Sequence, residues 1–206
     1  MRSANRMDAS VLHDETIMGM ICGKLVRGGV VVYGTDTLCA LGGSALCEAG
    51  VKRVAALKGR PQGMPMSYAF ADVDSALDWT VASPLAETIM RKNLPGPLTV
   101  VLPASAKAPK YVVNLDGTLG VRVPDNEYAR ALFAECGPMT TTSANLHGGK
   151  DPHNADEVSE ELASQVDYVL DFGPCKHAKG STIIKITGED ITLLREGVLT
   201  LQALKR

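Results

Sequence analysis

Aromatic side chains are scarce in this chain: Phe, Trp and Tyr together make up 4% of its 206 residues. Any core must therefore be assembled from Val, Leu, Ile, Met and Ala, and an apolar fraction of 45% is enough to build one. A large excess of either charge is also missing. The formal net charge of -2 gives no general attraction to nucleic acid or to an anionic membrane, so any anion site must come from a local cluster of cations. No apolar run approaches the ~20 residues that cross a bilayer. The N-terminal segment MRSANRMDASVLHDE places acidic residues where a secretory leader needs apolar ones. A soluble, cytoplasmic protein without a membrane partner is expected. The five cysteines (Cys22, Cys39, Cys47, Cys136, Cys175) lack C-x-x-C spacing. They read as small buried hydrophobes in a reducing compartment, not as a disulfide framework or a zinc site.

Several catalytic signatures are absent as well. Gly148-Gly149-Lys150-Asp151 lacks the spacing of a P-loop and the hydroxyl after its lysine. No G-x-G-x-x-G follows a strand, and Ser143 lies outside any G-x-S-x-G elbow. His13, His147, His153 and His177 share no metal-ligand spacing, so no protein-held metal is expected.

What remains is an alternation of helix and strand patterns. Residues 1–11 are read as a flexible, polar N-terminus and 12–206 as a single domain. Ser10 is the expected cap of a first helix ending at Gly28-Gly29. Strands are predicted at 30–33, 66–70, 98–102, 119–123, 138–142, 167–170, 181–186 and 191–194. Helices are predicted near 45–57, 73–79, 84–93, 126–136 and 155–163. The succession indicates an α/β class over an all-β or all-α fold.

Two motifs carry the chemistry. Lys58-Gly59-Arg60-Pro61 follows a helical pattern and puts two cations two residues apart, which suits phosphates through charge-assisted hydrogen bonds. On their own they would as readily be solvated residues closing a helix, where cations suit the negative end of the dipole. Thr142-Ser143-Ala144-Asn145 follows a strand and offers hydroxyls and a carboxamide to a polar substrate. Arg122 lies between Val121 and Val123 in an apolar strand, where its side chain takes the opposite face. A buried arginine there needs an anion, either a protein carboxylate or a ligand. Arg195, after Leu193-Leu194, poses the same question.

In order along the chain stand Thr35-Asp36-Thr37, Lys58-Gly59-Arg60-Pro61 with Pro65, Pro95-Gly96-Pro97-Leu98-Thr99, Gly120-Val121-Arg122-Val123-Pro124, Thr142-Ser143-Ala144-Asn145 with Gly148, Ser181-Thr182-Ile183, and Leu194-Arg195 with Gly197. This series resembles the YrdC-domain family of threonylcarbamoyl-AMP synthases from about residue 12 to residue 200, in its short form without an extra C-terminal domain. The resemblance implies a twisted open mixed sheet with flanking helices around a deep concave cavity. It also implies the union of L-threonine, bicarbonate or CO2, and ATP into threonylcarbamoyl-adenylate with release of pyrophosphate. The adenylate would serve the tRNA threonylcarbamoyl-transferase machinery. ATP would enter as a substrate with Mg²⁺, no tightly bound cofactor is implied, and weak direct RNA binding is left open.

By the same resemblance, Lys58, Arg60, Ser143 and Asn145 would be catalytic. Lys58, Arg60, Asn145 and Arg195 would bind ATP, and Thr37, Arg122, Ser143 and Ser181 would bind threonine. The chain departs from the family pattern at Leu38-Cys39-Ala40-Leu41, where Val-Tyr-Gly-Leu is usual. An aromatic wall near threonine is then either lost or supplied by Tyr68. Met64 and Ala69 stand where relatives carry asparagine and histidine. Two rivals remain on this reading: an enzyme using another acceptor, and a non-catalytic module binding double-stranded RNA.

Overall fold

A hydrogen-bonding side chain starts most of the helices. Asp14 accepts from the amides of Thr16 and Ile17 to begin α1 (Glu15–Leu25), Asp72 and Ser75 form a reciprocal box at α3 (Val73–Asp78), and Ser83 caps α4 (Pro84–Asn93). Asn126 caps α5 (Glu127–Cys136), which ends where Gly137 takes a φ of 80°. The other helices are α2 (Glu48–Leu57), α6 (Glu160–Ala163) and α7 (Leu201–Leu204). This computed structural model describes residues 5–59, 64–146 and 148–204. Eleven strands complete it: β1 (Asn5–Asp8), β2 (Val30–Tyr33), β3 (Ala40–Gly43), β4 (Ser67–Ala69), β5 (Leu98–Pro103), β6 (Thr118–Arg122), β7 (Met139–Thr140), β8 (Thr142–Ser143), β9 (Tyr168–Asp171), β10 (Thr182–Thr187) and β11 (Asp190–Arg195).

The strands form two mixed sheets, in the order β1-β9-β2-β3-β8 and β11-β10-β5-β6-β4-β7. The expected α/β class with open mixed sheet and flanking helices is observed, divided between two sheets. The segment predicted as one strand at 138–142 is what joins them. It steps from the second sheet to the first at Thr141, whose amide makes the last bond to the second sheet, to the Ser67 carbonyl of β4 (2.9 Å). A second correction concerns the N-terminus. Residues 5–8, assigned to a flexible tail, pair in parallel with β9, and Asp8 and Asp14 take the capping roles expected of Ser10. The predicted helix over 155–163 is two short turns, because Asn154 and Ser159 each cap a new start.

The helices α1 and α5 pack on one face of the first sheet, where Tyr33 meets Phe133 edge-on with ring centres 5.4 Å apart. That contact also overturns one reading of the cysteines. Cys22 on α1 and Cys136 on α5 form a disulfide across 114 residues of sequence, because two helices packed side by side bring their facing thiols together. Cys39 and Cys175 are buried thiols and Cys47 is half-buried.

One carboxylate ties the first sheet to its helices. Asp167 accepts from the Val30 amide (2.9 Å) and pairs with Arg53 (2.6 Å) and Lys24 (3.2 Å). Burial opposes its ionisation, but the Val30 amide, Lys24 and Arg53 together hold its pKa below the ordinary carboxylate value. A depressed pKa contributes stability above the unfolded value near 3.9, and that contribution is lost as pH falls through the folded one. Asp167→Ala should therefore cost ~1–3 kcal/mol at pH 7. The deficit should shrink in acid, as urea unfolding at pH 7 and pH 3 will show.

Candidate active site

The site begins at a strand that sequence reasoning missed. β3 reads Ala-Leu-Gly-Gly, poor in β-branched residues, yet it is fully buried between β2 and β8. Ala40 lies opposite Ser143, so β3 places the Ser143 hydroxyl. Helix α2 delivers the partner: Lys58 is its C-cap, closed by a hydrogen bond from its amide to the Val54 carbonyl (3.0 Å). The Lys58 ammonium donates to Ser143 O (2.8 Å), Ser143 Oγ (3.0 Å) and Asn145 O (2.9 Å), and also reaches Asn145 Oδ1. Ser143 Oγ itself donates to Asn145 Oδ1 at 2.7 Å. Three of the four residues expected to act together thus meet around a single buried cation. Arg60 lies outside the described residues, as do Pro61 and His147.

Arg122 ends β6, and its guanidinium is buried with 7% of the side chain exposed. It finds the protein carboxylate that its burial requires: Nη2 donates to Asp36 Oδ1 at 2.6 Å, and Asp36 has no exposed side-chain surface. Nη1 donates to Thr37 Oγ1 (3.0 Å). Thr37 Oγ1 stands 3.0 Å from Thr35 Oγ1, which already donates to the Leu38 carbonyl (2.7 Å), so Thr37 is the donor of that pair. The Thr35-Asp36-Thr37 loop is therefore a seat for Arg122. Among the described residues, Arg122 Nε and Asp36 Oδ2 have no hydrogen-bond partner, although both atoms are buried.

The third corner is Ser181. Its hydroxyl lies 2.8 Å from Thr99 Oγ1, its carbonyl accepts from Arg195 Nη2 (2.8 Å) and Nε (3.2 Å), and β11 carries Arg195 opposite Ile183. Gly197 closes this corner, and only glycine fits: a Cβ there would lie 2.2 Å from the Gly180 carbonyl oxygen.

Thr37, Arg122, Ser143, Ser181 and Arg195 all line one hollow of about 270 Å³, with Lys58 and Asn145 bonded to Ser143 at its wall. Thr99 and Asp151 line it too. In the sequence Thr99 stands only within the Pro95-Gly96-Pro97-Leu98-Thr99 motif and Asp151 only in the stretch rejected as a P-loop, and neither is given a site role there. Asp151 is the hollow's one carboxylate among the described residues. Tyr68 is buried in the core and is not among the residues lining the hollow, so it does not supply an aromatic wall, and no aromatic residue lines the hollow among those described. Ala69 is buried beneath, and Met64 is exposed. No group of three or more His, Cys, Asp or Glu among the described residues could hold a metal ion. No described helix is long and apolar enough to cross a membrane.

Two mixed sheets joined at a hollow, with the buried Lys58 held by Ser143 and Asn145 on one side and a seated arginine on another, define a mixed α/β protein with two buried cations beside one cavity. The chain belongs to the Sua5/YciO/YrdC family, whose model, described as telomere recombination, matches residues 24–197. A Methanocaldococcus jannaschii protein, provisionally named a threonylcarbamoyl-AMP synthase, is 39% identical over 89% of this chain and 86% of its own length. The threonylcarbamoyl-AMP synthase of Bacillus subtilis is 34% identical over 83% of this chain and 50% of that protein. The crystal structure of Pyrococcus abyssi Sua5 complexed with L-threonine superposes with a TM-score of 0.88 at 30% identity, covering 98% of this chain and 59% of that one. The chain thus spans half or somewhat more of the length of these last two.

Proposed function

We propose that this protein is a threonylcarbamoyl-AMP synthase. The reading rests above all on one hollow lined by the guanidinium seated on Thr37 and by Ser143, whose hydroxyl and carbonyl hold the buried Lys58 ammonium at its wall. A polyphosphate fits the first and an amino-acid carboxylate the second, and the names borne by its relatives agree.

The reaction needs no protein nucleophile. The neutral amine of threonine adds to CO2, giving a carbamate and releasing a proton. A carbamate oxygen attacks the α-phosphorus of ATP, the bond to the bridging oxygen breaks, and pyrophosphate leaves. Lys58 and Arg60 hold the triphosphate and offset the charge that builds on it. Ser143 and Asn145 fix the direction of the Lys58 ammonium and bring carbamate and nucleotide together. Arg122 takes the threonine carboxylate in a planar fork that lysine cannot copy, beside Thr37 and Ser181. Arg195, lying across Ser181, serves the nucleotide. Mg²⁺ would arrive on the phosphates of ATP and offset part of their charge. The product supplies the transferase machinery that modifies tRNA adenosine, in the cytoplasm.

The test is pyrophosphate release from ATP and bicarbonate with each amino acid in turn. Threonine should stimulate release well above serine and above the blank. Equal rates with serine, or without an amino acid, would overturn the assignment.

A further inference from the structure

Two thiols that this reaction does not use stand together beside the hollow. Cys39 lies two residues after Thr37 and lines the hollow, while Cys175 lies in the loop after β9. Both are buried, and their sulfurs are 4.0 Å apart. Their backbones hang on adjacent residues of one segment. The Cys39 amide donates to the Pro152 carbonyl (2.9 Å), and the Cys175 amide donates to the His153 carbonyl (2.7 Å). The Ala144 amide donates to the Cys39 carbonyl (2.8 Å), which ties the pair to the Ser143-Asn145 segment. A disulfide needs its sulfurs about 2.0 Å apart, so closure takes about 2 Å, shared between side-chain rotation and the two loops.

We propose that Cys39 and Cys175 form an oxidative modification site that takes a hydroperoxide, and that their disulfide impairs the threonine end of the hollow. The second half of this proposal rests on the threonine reading; the first does not. One thiol, as its thiolate, attacks a peroxide oxygen, the O–O bond breaks, and hydroxide leaves behind a sulfenic acid. The sulfur of the other thiol then attacks the sulfenic sulfur, the S–S bond forms, and water leaves with the thiol proton. Two thiols lose two electrons, and hydrogen peroxide is reduced to two waters. Cys175 is the thiol that ionises more readily, because Cys39 hydrogen-bonds to it; the same bond, with burial, pushes the Cys39 thiol up.

The bridge would act through the Arg122 seat. Closure draws the loop carrying Asp36 and Thr37 toward the loop carrying Cys175 and His177. The His177 amide already holds the Asp36 carbonyl at 2.9 Å, so the two loops move as a connected pair. A displacement of this size at a substrate-positioning group costs up to about 10²-fold. The apparent KM for threonine should rise by ~10-fold to 10²-fold.

The experiment treats the full chain with hydrogen peroxide, blocks the remaining thiols with N-ethylmaleimide, and maps disulfides by mass spectrometry of a non-reducing digest. Threonine KM is measured in parallel, before and after reduction with dithiothreitol. A peptide linked through Cys39 and Cys175 is expected, together with the KM rise and its reversal. Cys175→Ser should keep basal activity and lose the response, which separates this pair from the Cys22–Cys136 bridge that dithiothreitol also reaches. Absence of the linked peptide overturns the site. A linked peptide with unchanged KM, or an equal response in Cys175→Ser, overturns the effect on threonine. If no adenylate is made under any condition, the functional reading fails, while the linked peptide still decides the chemistry.

Discussion

Lys58→Ala should lower the rate of pyrophosphate release by about 10²–10³-fold, the ~2–4 kcal/mol that a charged contact at a reacting phosphate is worth. Lys58 is 7% exposed, and its ammonium sits among oxygens of Ser143 and Asn145. On the proposed reading these bonds aim it before substrate arrives, and its burial strengthens the action of its charge. The substitution also strands those oxygens, so a further loss of stability of ~1–3 kcal/mol is expected. Activity must accordingly be measured where thermal unfolding shows the variant folded. Lys58→Arg tests shape against charge: the guanidinium keeps the charge but cannot enter a pocket sized for an ammonium, so it should recover little. Near-normal release in folded Lys58→Ala would remove this lysine from the phosphate grip.

What was legible beforehand depended on how local the cause was. The strand Val30–Tyr33 is three valines and a tyrosine, and α4 announces itself with Ser83-Pro84 at its start and an apolar face behind; both are where their patterns put them. The strands Asn5–Asp8 and Ala40–Gly43 are polar or glycine-rich and are held by strands from elsewhere in the chain, the first along the edge of β9 and the second between β2 and β8. Such tertiary causes leave no local trace. The same holds within the site. Lys58, Ser143 and Asn145 could be grouped by chemistry and family order, and the structure joins them. The sequence demanded an anion for Arg122, yet nothing in it chose Asp36, 86 residues away, over a ligand. The Cys22–Cys136 and Cys39–Cys175 pairings depend likewise on packing across 114 and 136 residues.

Arg122→Ala should be costly twice over, and the two costs can be separated. Removing the guanidinium leaves the Asp36 carboxylate buried and unpaired, a penalty of ~3–5 kcal/mol. For a chain of this size that lowers the melting temperature by ~6–20 °C. The same change removes the fork proposed to hold the threonine carboxylate, so threonine should no longer saturate the remaining folded enzyme. Asp36→Asn combined with Arg122→Met removes both charges at nearly constant volume. A buried ion pair replaced as a unit is often neutral in stability, so most of the lost melting temperature should return. Threonine binding, followed by calorimetry, should not return with it, because the double variant has no cation for the carboxylate. Were the double variant to recover both stability and threonine affinity, Arg122 would be a structural partner of Asp36 alone, and the substrate carboxylate would have to be held by Arg195 beside Ser181.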